Sequence, residues 1–217
     1  MSLKAVLFDL DGVIVDTAKF HHESWVMLAN EHGIDFPEEF FYTFKGLARS
    51  ECVKLLFKDE SDENKLQEYA AKKNEYYNVM LKTLKPEDIF EGVKDLLLTL
   101  KDNNIKIGIC SASKNTMTVL EKLEIKELFD CIIDGTQVEN PKPDPEVFLK
   151  GAFALSVKNN ECIVVEDAEV GVEAAKRAGM LAVGIGNKEK LKQADLILEH
   201  TKELSYTMLM DLYKSSM

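Results

Sequence analysis

What the chain has little of narrows its class first. It holds four cysteines, Cys52, Cys110, Cys131 and Cys162, and none of them is paired at metal-ligand spacing. A zinc knuckle or ribbon is therefore excluded. Cys110 and Cys162 fall in apolar, strand-like runs, and reduced core thiols suit a cytoplasmic protein better than a disulfide scaffold. Positive charge is also short: 27 Lys and Arg stand against 38 Asp and Glu, a formal net charge of −11. Nucleic acid and anionic membrane both need clustered basic surface, so neither is an expected partner. No apolar run reaches membrane length and no basic-apolar-small leader opens the chain, so a soluble, non-exported protein is expected. Internal repeats and low-complexity segments are absent as well.

What is there is an ordinary globular composition over 217 residues, enough to bury a substantial core. Lys4 to Phe8 reads as a strand. From about Thr17 to Lys85 the pattern is almost purely helical, with segments near 17–32, 37–44, 48–58 and 62–83 broken by Gly33, Pro37, Gly46 and Pro86. After Gly92 the texture alternates: helix 93–102, strand 105–110, helix 114–123, strand 131–133, helix 145–155, strand 162–165, helix 170–178, strand 181–185 and strand 195–198. Strands alternating with helices predict an α/β fold, a Rossmann-like parallel sheet covered on both faces. The helical block then reads as an insertion after the first strand: a core of residues 1–15 and 93–217 and a helical cap of 16–92, joined near 13–17 and 86–92.

Four stretches carry chemistry. In Val6-Leu-Phe-Asp9-Leu-Asp11-Gly12-Val-Ile-Val15, two carboxylates sit at the carboxyl end of an otherwise apolar run. Strand tips of a parallel sheet open into the ligand crevice, alternation would point both acids to one face, and Gly12 lets the chain bend away. Ile107-Gly-Ile-Cys-Ser111-Ala-Ser113 is an apolar strand ending in hydroxyls, Lys142-Pro143 supplies a lone lysine, and Ile163-Val-Val-Glu166-Asp167 ends in two acids. Each alone has a plainer reading: serines as helix caps, Lys142 as a solvated loop residue, Glu166 and Asp167 as acids suited to a helix start. All four falling at strand ends of one alternating pattern argues for a shared site.

These four stretches, in this order, resemble the motifs of the haloacid dehalogenase superfamily of phosphoryl-transfer enzymes. The resemblance implies Asp9 as nucleophile, taking the phosphoryl group as an aspartyl-phosphate, and Asp11 as general acid/base, helped by a pKa nearer neutrality than that of a free carboxyl. Hard oxygen ligands and a phosphate substrate select Mg2+, with Asp9 and Asp167 as ligands, Glu166 directly or through water, and, by analogy, the Asp11 backbone carbonyl. Ser111 and Lys142 would hold the transferring phosphoryl oxygens. Ala112, Ser113, Lys114 and Asn115 would join them at a strand-to-helix turn, where free N–H groups favour an anion.

His21 with Trp25, Lys45-Gly46 with Arg49, and Ser111 to Asn115 are similar to the β-phosphoglucomutase branch of that superfamily. That likeness implies that His21 links substrate binding to the positioning of Asp11, that Thr17 lies near the hinge, and that Arg49 clamps the phosphate not being transferred. The alternative leaves His22 exposed while His21 and Trp25 merely pack the seam between cap and core. Cys52 and Ala168 stand where the branch usually has serine, and the loss of two hydroxyls that would contact phosphate or substrate bears on the exact sugar more than on the reaction class. The remaining lysines and glutamates of 58–75 read as a solvated helix face.

Three functions follow. The first is a Mg2+-dependent mutase acting as a monomer on a small phosphosugar, and the resemblance implies transfer of a phosphoryl group between the 1- and 6-oxygens of β-glucose. The second is a phosphatase of a small phosphorylated sugar or acid, and the third a non-enzymatic phospho-acceptor using Asp9. Lys45, Arg49 and His21 favour the mutase, because a bisphosphate needs a second grip. The helical insertion and Asp11 speak against a plain receiver.

Overall fold

The computed structural model describes residues 2–216. In chain order it forms β1 (Ala5–Phe8), α1 (Ala18–Glu31), α2 (Glu38–Phe41), α3 (Arg49–Leu56), α4 (Glu63–Leu81), α5 (Val93–Asp102), β2 (Lys106–Cys110) and α6 (Thr116–Lys122). Then come β3 (Cys131–Ile133), α7 (Glu146–Ala154), β4 (Cys162–Glu166), α8 (Glu169–Arg177), β5 (Leu181–Ile185), β6 (Leu196–Leu198) and α9 (Tyr206–Ser215). The six strands pair in the order β3-β2-β1-β4-β5-β6, every neighbouring pair parallel. β1 lies between β2 and β4, with Leu7 opposite both Gly108 and Val164. The chain moves outward from β1 to β2 and β3 and then returns to the other side of β1. The carboxyl ends of β1 and β4 therefore flank a switch point, where an open α/β sheet leaves a crevice.

Strand alternation sorts the core into two layers. Val6, Phe8, Ile107, Ile109, Ile163, Val165, Val183 and Ile185 pack with α5, α6 and α9 on one face. Ala5, Leu7, Cys110, Cys162, Val164 and Ala182 pack with α7 and α8 on the other. Both faces are buried, which is why these strands read as continuous apolar runs. A third cluster, built from Trp25, Leu28, Phe44, Val53, Leu56 and Leu66, belongs to the helical stretch alone. The two segments that lead into and out of that stretch meet each other. Val15 forms an antiparallel bridge with Ile89, and the Phe90 N–H donates to the Ile14 carbonyl at 3.0 Å.

The elements expected from the sequence are found to within a few residues. The exception is α9, which the sequence reading passed over: the Ser205 hydroxyl accepts from the Met208 N–H, and Leu209 and Tyr213 are buried. Its i, i+4 apolar spacing and its cap were visible signals. All four cysteines are free, and three are buried. Among the described residues, no helix is long and apolar enough to cross a membrane.

Candidate active site

β1 ends at Phe8, so Asp9 is the first residue past the strand, held by a hydrogen bond from its N–H to the Val165 carbonyl at 2.9 Å. Asp11 lies further on, in the turn that bridges to Val15. The two acids face one cavity, but loop geometry converges them, not the strand alternation expected. Gly12 turns the chain at φ +83°, and a Cβ there would collide with the Asp167 carboxylate. Only glycine both bends the loop and leaves room for the neighbouring acid.

Lys142 is the hub of the charged floor. It is 3% exposed, not solvated, and its Nζ donates to Asp9 Oδ1 at 2.6 Å and to Glu166 Oε2 at 2.7 Å. Burial opposes its charge, but Asp9 and Glu166 together hold the ammonium above its ordinary pKa. The other Glu166 oxygen accepts from the Asp167 and Ala168 N–H groups at 3.2 and 3.1 Å. Asp9, Glu166 and Asp167 each bring a carboxylate oxygen within 4.8 Å of the others. Burial and then the Glu166 charge push the Asp9 pKa well up, Lys142 pulling against them. Burial likewise raises Asp167 to about 6, with Lys45 opposing and Glu166 adding to it. So dense a set of hard oxygens calls for a cation.

Asp11 is held in the opposite sense. Burial would raise its pKa, but contact with His21 and a hydrogen bond from the Thr17 hydroxyl outweigh it and hold the carboxyl below its ordinary value. The near-neutral Asp11 expected from its role is therefore corrected: its neighbours favour the ionised form. His21 Nε2 lies 3.7 Å from Asp11 Oδ2, and its Nδ1 lies 2.7 Å from Lys73 Nζ. An ammonium can only donate, so charged Lys73 leaves Nδ1 as acceptor and directs the ring proton on Nε2 toward Asp11. The imidazole also stacks on Tyr77, with centroids 4.2 Å apart.

Lys73 is the residue that sequence reasoning missed. The sequence puts it on a solvated face, yet it is 1% exposed and lies over the rings of Trp25 and Tyr77. Burial, then the charge of Arg49, lowers its pKa to about 7. The signal was present: Leu66, Ala70, Lys73, Tyr77 and Leu81 share one stripe of α4, with a lysine at an apolar position. His22 is corrected too. It is half-buried against Phe36 and Phe41, not exposed.

The cavity, about 590 Å³, is lined by Asp9, Asp11, Ser111, Ala112, Ser113, Lys114, Lys142 and Asp167 from the sheet side. His21, Trp25, Lys45, Gly46, Arg49, Cys52 and Lys73 line it from the helical stretch. Thr17, Asn115 and Glu166 stand behind that lining. The loop after β2 is braced by its own hydroxyls: Ser111 Oγ accepts from the Ser113 N–H and Ser113 Oγ from the Asn115 N–H. The Asn115 amide donates to Asn74 Oδ1 at 2.8 Å, and Lys45 Nζ reaches Asp167 Oδ2 at 2.8 Å, so polar side chains tie the helical stretch to the loops after β2 and β4. Gly46, at φ +76°, packs where a Cβ would meet Val170 at 2.6 Å and Ala168 at 3.1 Å. Ala168 therefore fills a contact under the loop. Cys52 is 3% exposed, with its thiol toward the Phe44 carbonyl, and burial raises that thiol to about 12.

Comparison with known proteins gives the family. The model of the haloacid dehalogenase-like hydrolase family matches residues 6–185. A β-phosphoglucomutase of Bacillus subtilis (strain 168) is 39% identical over 212 residues, covering 95% of this chain and 94% of its own. A phosphorylated carbohydrates phosphatase of Thermotoga maritima is 29% identical over 180 residues, 82% of each chain. The crystal structure of a β-phosphoglucomutase from Clostridium difficile superposes with a TM-score of 0.95 at 39% identity, covering 100% of this chain and 99% of that one. An acid-tipped central strand, a buried lysine and a family model spanning most of the chain all lead to one assignment: this protein belongs to the haloacid dehalogenase-like hydrolase family.

Proposed function

We propose that this chain is a Mg2+-dependent mutase that interconverts β-glucose 1-phosphate and glucose 6-phosphate through an aspartyl-phosphate and a 1,6-bisphosphate. Residues 1–15 and 93–217 form its catalytic core and 16–92 a cap over the cavity. The observation that carries this reading is cationic charge on both sides of one cavity: Lys142 and Lys114 from the sheet side, and Lys45 and Arg49 from the helices. A bisphosphate needs two grips, whereas a monophosphate hydrolase needs one. The choice of sugar rests on the 39% identity to the Bacillus subtilis β-phosphoglucomutase.

Starting from phosphorylated Asp9, a sugar hydroxyl attacks the phosphorus, Asp11 takes the hydroxyl proton, and the bond from phosphorus to Asp9 oxygen breaks as the 1,6-bisphosphate forms. Once the bisphosphate has turned round, the Asp9 carboxylate attacks its other phosphorus, the bond from that phosphorus to the sugar oxygen breaks, and Asp11 returns the proton to that oxygen. The Thr17 and His21 contacts keep Asp11 ionised for the first of these steps. Lys142, bridging Asp9 and Glu166, orients the nucleophile and meets the phosphoryl oxygens together with Ser111 and the loop to Asn115. Arg49, with its planar donor fork, holds the phosphate that stays on the sugar. Asp9, Glu166 and Asp167, with the Asp11 carbonyl, suit Mg2+, which when bound neutralises charge between the carboxylates and the phosphate.

The test is a coupled assay with Mg2+, β-glucose 1-phosphate and a trace of the 1,6-bisphosphate, following glucose 6-phosphate and free phosphate separately. Glucose 6-phosphate with little free phosphate is expected. Free phosphate without isomerisation would make the chain a hydrolase like its Thermotoga maritima relative, and no product of either kind would leave phospho-acceptance or binding.

A further inference from the structure

Besides the contacts around Asp11, Asp167 and Asn115, a further contact joins the helical stretch to the sheet side, and its residues line no part of the cavity. Tyr42 follows α2 directly, and the Lys190 ammonium lies over its ring, 4.1 Å from the centroid. Tyr42 is 48% exposed, so its hydrophobic burial is incomplete. Lys190 is carried on a braced turn. The Lys190 and Leu191 N–H groups both donate to the Asn187 carbonyl at 3.1 Å, and Leu191 is 2% exposed, rooted in the layer under α8. The lysine is thus presented from a fixed base. Three residues after Tyr42, Lys45 reaches Asp167, and Gly46 lies against Val170 and Ala168. One short segment, 42–46, is therefore fastened to the sheet side at an outer point and an inner one. Only the outer point is free of groups that meet phosphate or the reacting acids.

We propose that Tyr42 and Lys190 form an outer strap that seats segment 42–46 over Asp167, and that this positioning pair sets how much of the aspartyl-phosphate is lost to water. The inference rests on the reading of residues 16–92 as a cap. In the loss, a water oxygen attacks the phosphorus on Asp9 and the bond from phosphorus to Asp9 oxygen breaks. The carboxylate is restored, inorganic phosphate leaves, and the water proton passes to Asp11. Any rise in the open fraction of the cap admits water to this step while slowing capture of the sugar. An exposed cation–π pair shifts a two-state balance by about two- to five-fold, enough to change a partition ratio without abolishing turnover.

The experiment compares Tyr42→Leu and Lys190→Gln, singly and together, with the conservative Tyr42→Phe and Lys190→Arg. Trp25 is the single tryptophan, 2% exposed on the cavity wall, so acrylamide quenching of its fluorescence reports opening without any substrate. The second readout is the ratio of free phosphate to glucose 6-phosphate, with kcat and KM measured apart. Tyr42→Leu and Lys190→Gln are each expected to raise the quenching constant, and to raise the hydrolytic ratio and KM by about two- to five-fold. The double variant should go no further than either single one, and the Phe and Arg variants should match the unaltered protein. Unchanged quenching in both Tyr42→Leu and Lys190→Gln, or effects that simply add in the double variant, would overturn the strap. Should the unaltered protein form no glucose 6-phosphate, the mutase reading fails, and the quenching series still decides the strap.

Discussion

Asp9 and Asp11 are two positions apart and are held in opposite electrostatic states. Asp9 is 6% exposed and crowded by Glu166, so its charge depends on Lys142 and on any cation that joins it. Asp11 is offered a hydroxyl from Thr17 and the edge of His21, and its charge is favoured without a metal. Environments that push two neighbouring carboxylates apart suit a division between nucleophile and proton carrier. Asp11→Asn keeps the shape of the side chain and removes the proton exchange. Its kcat should fall by about 10²- to 10⁴-fold. With an acyl phosphate donor, whose leaving group needs no proton, phosphorylation of Asp9 should stay near the unaltered rate. Loss of that reaction too would mean that Asp11 serves the fold of the loop and not proton transfer.

At the scale of elements, α4 shows where the sequence was and was not legible. The strands stood out because both faces of a parallel sheet are apolar, and Asp9, Ser111, Lys142, Glu166 and Asp167 stood out because charged and hydroxyl residues are conspicuous at such strand ends. Lys73 was lost among the lysines of α4. Its burial follows from contact with Trp25, Tyr77 and His21, partners up to 52 positions away, and no local pattern reports that meeting. The Asn74–Asn115 and Tyr42–Lys190 contacts were invisible for the same reason. The Lys73 pKa is depressed from 10.5 to about 7, so between those values the unfolded chain binds the proton and the folded one does not. Stability must then rise with pH from about 7 to 10.5, the full cost of the buried charge being present below 7. Lys73→Met should raise stability at pH 6 relative to the unaltered protein and flatten that slope, as urea denaturation at several pH values would measure. A variant that kept the slope would place the titrating group elsewhere.

For the molecule as a whole, an excess of acid is gathered where the carboxyl ends of β1 and β4 meet, and the fold carries that repulsion as a standing cost. Lys142 and Lys45 offset part of it, each within 2.8 Å of a carboxylate. The remainder is visible in Asp167, whose pKa is raised from 3.8 to about 6. A raised carboxyl in the folded state means that the unfolded chain gives up its proton first, so this group's contribution to stability is lost as pH climbs from about 4 to 6. At pH 7 the cation-free protein therefore bears the cost in full, and Mg2+ should relieve it as well as add its own binding energy, about 2.7 kcal/mol at roughly 100 times Kd. Thermal unfolding at pH 7 is expected to show a Tm that climbs with Mg2+ and falls back on chelation. Asp167→Asn should unfold at or above the Tm of the cation-free unaltered protein, since the crowding is gone, and should lose most of the Mg2+-induced rise. An Asn variant that kept the whole rise would move the cation away from Asp167 and leave the raised pKa to be explained by burial alone.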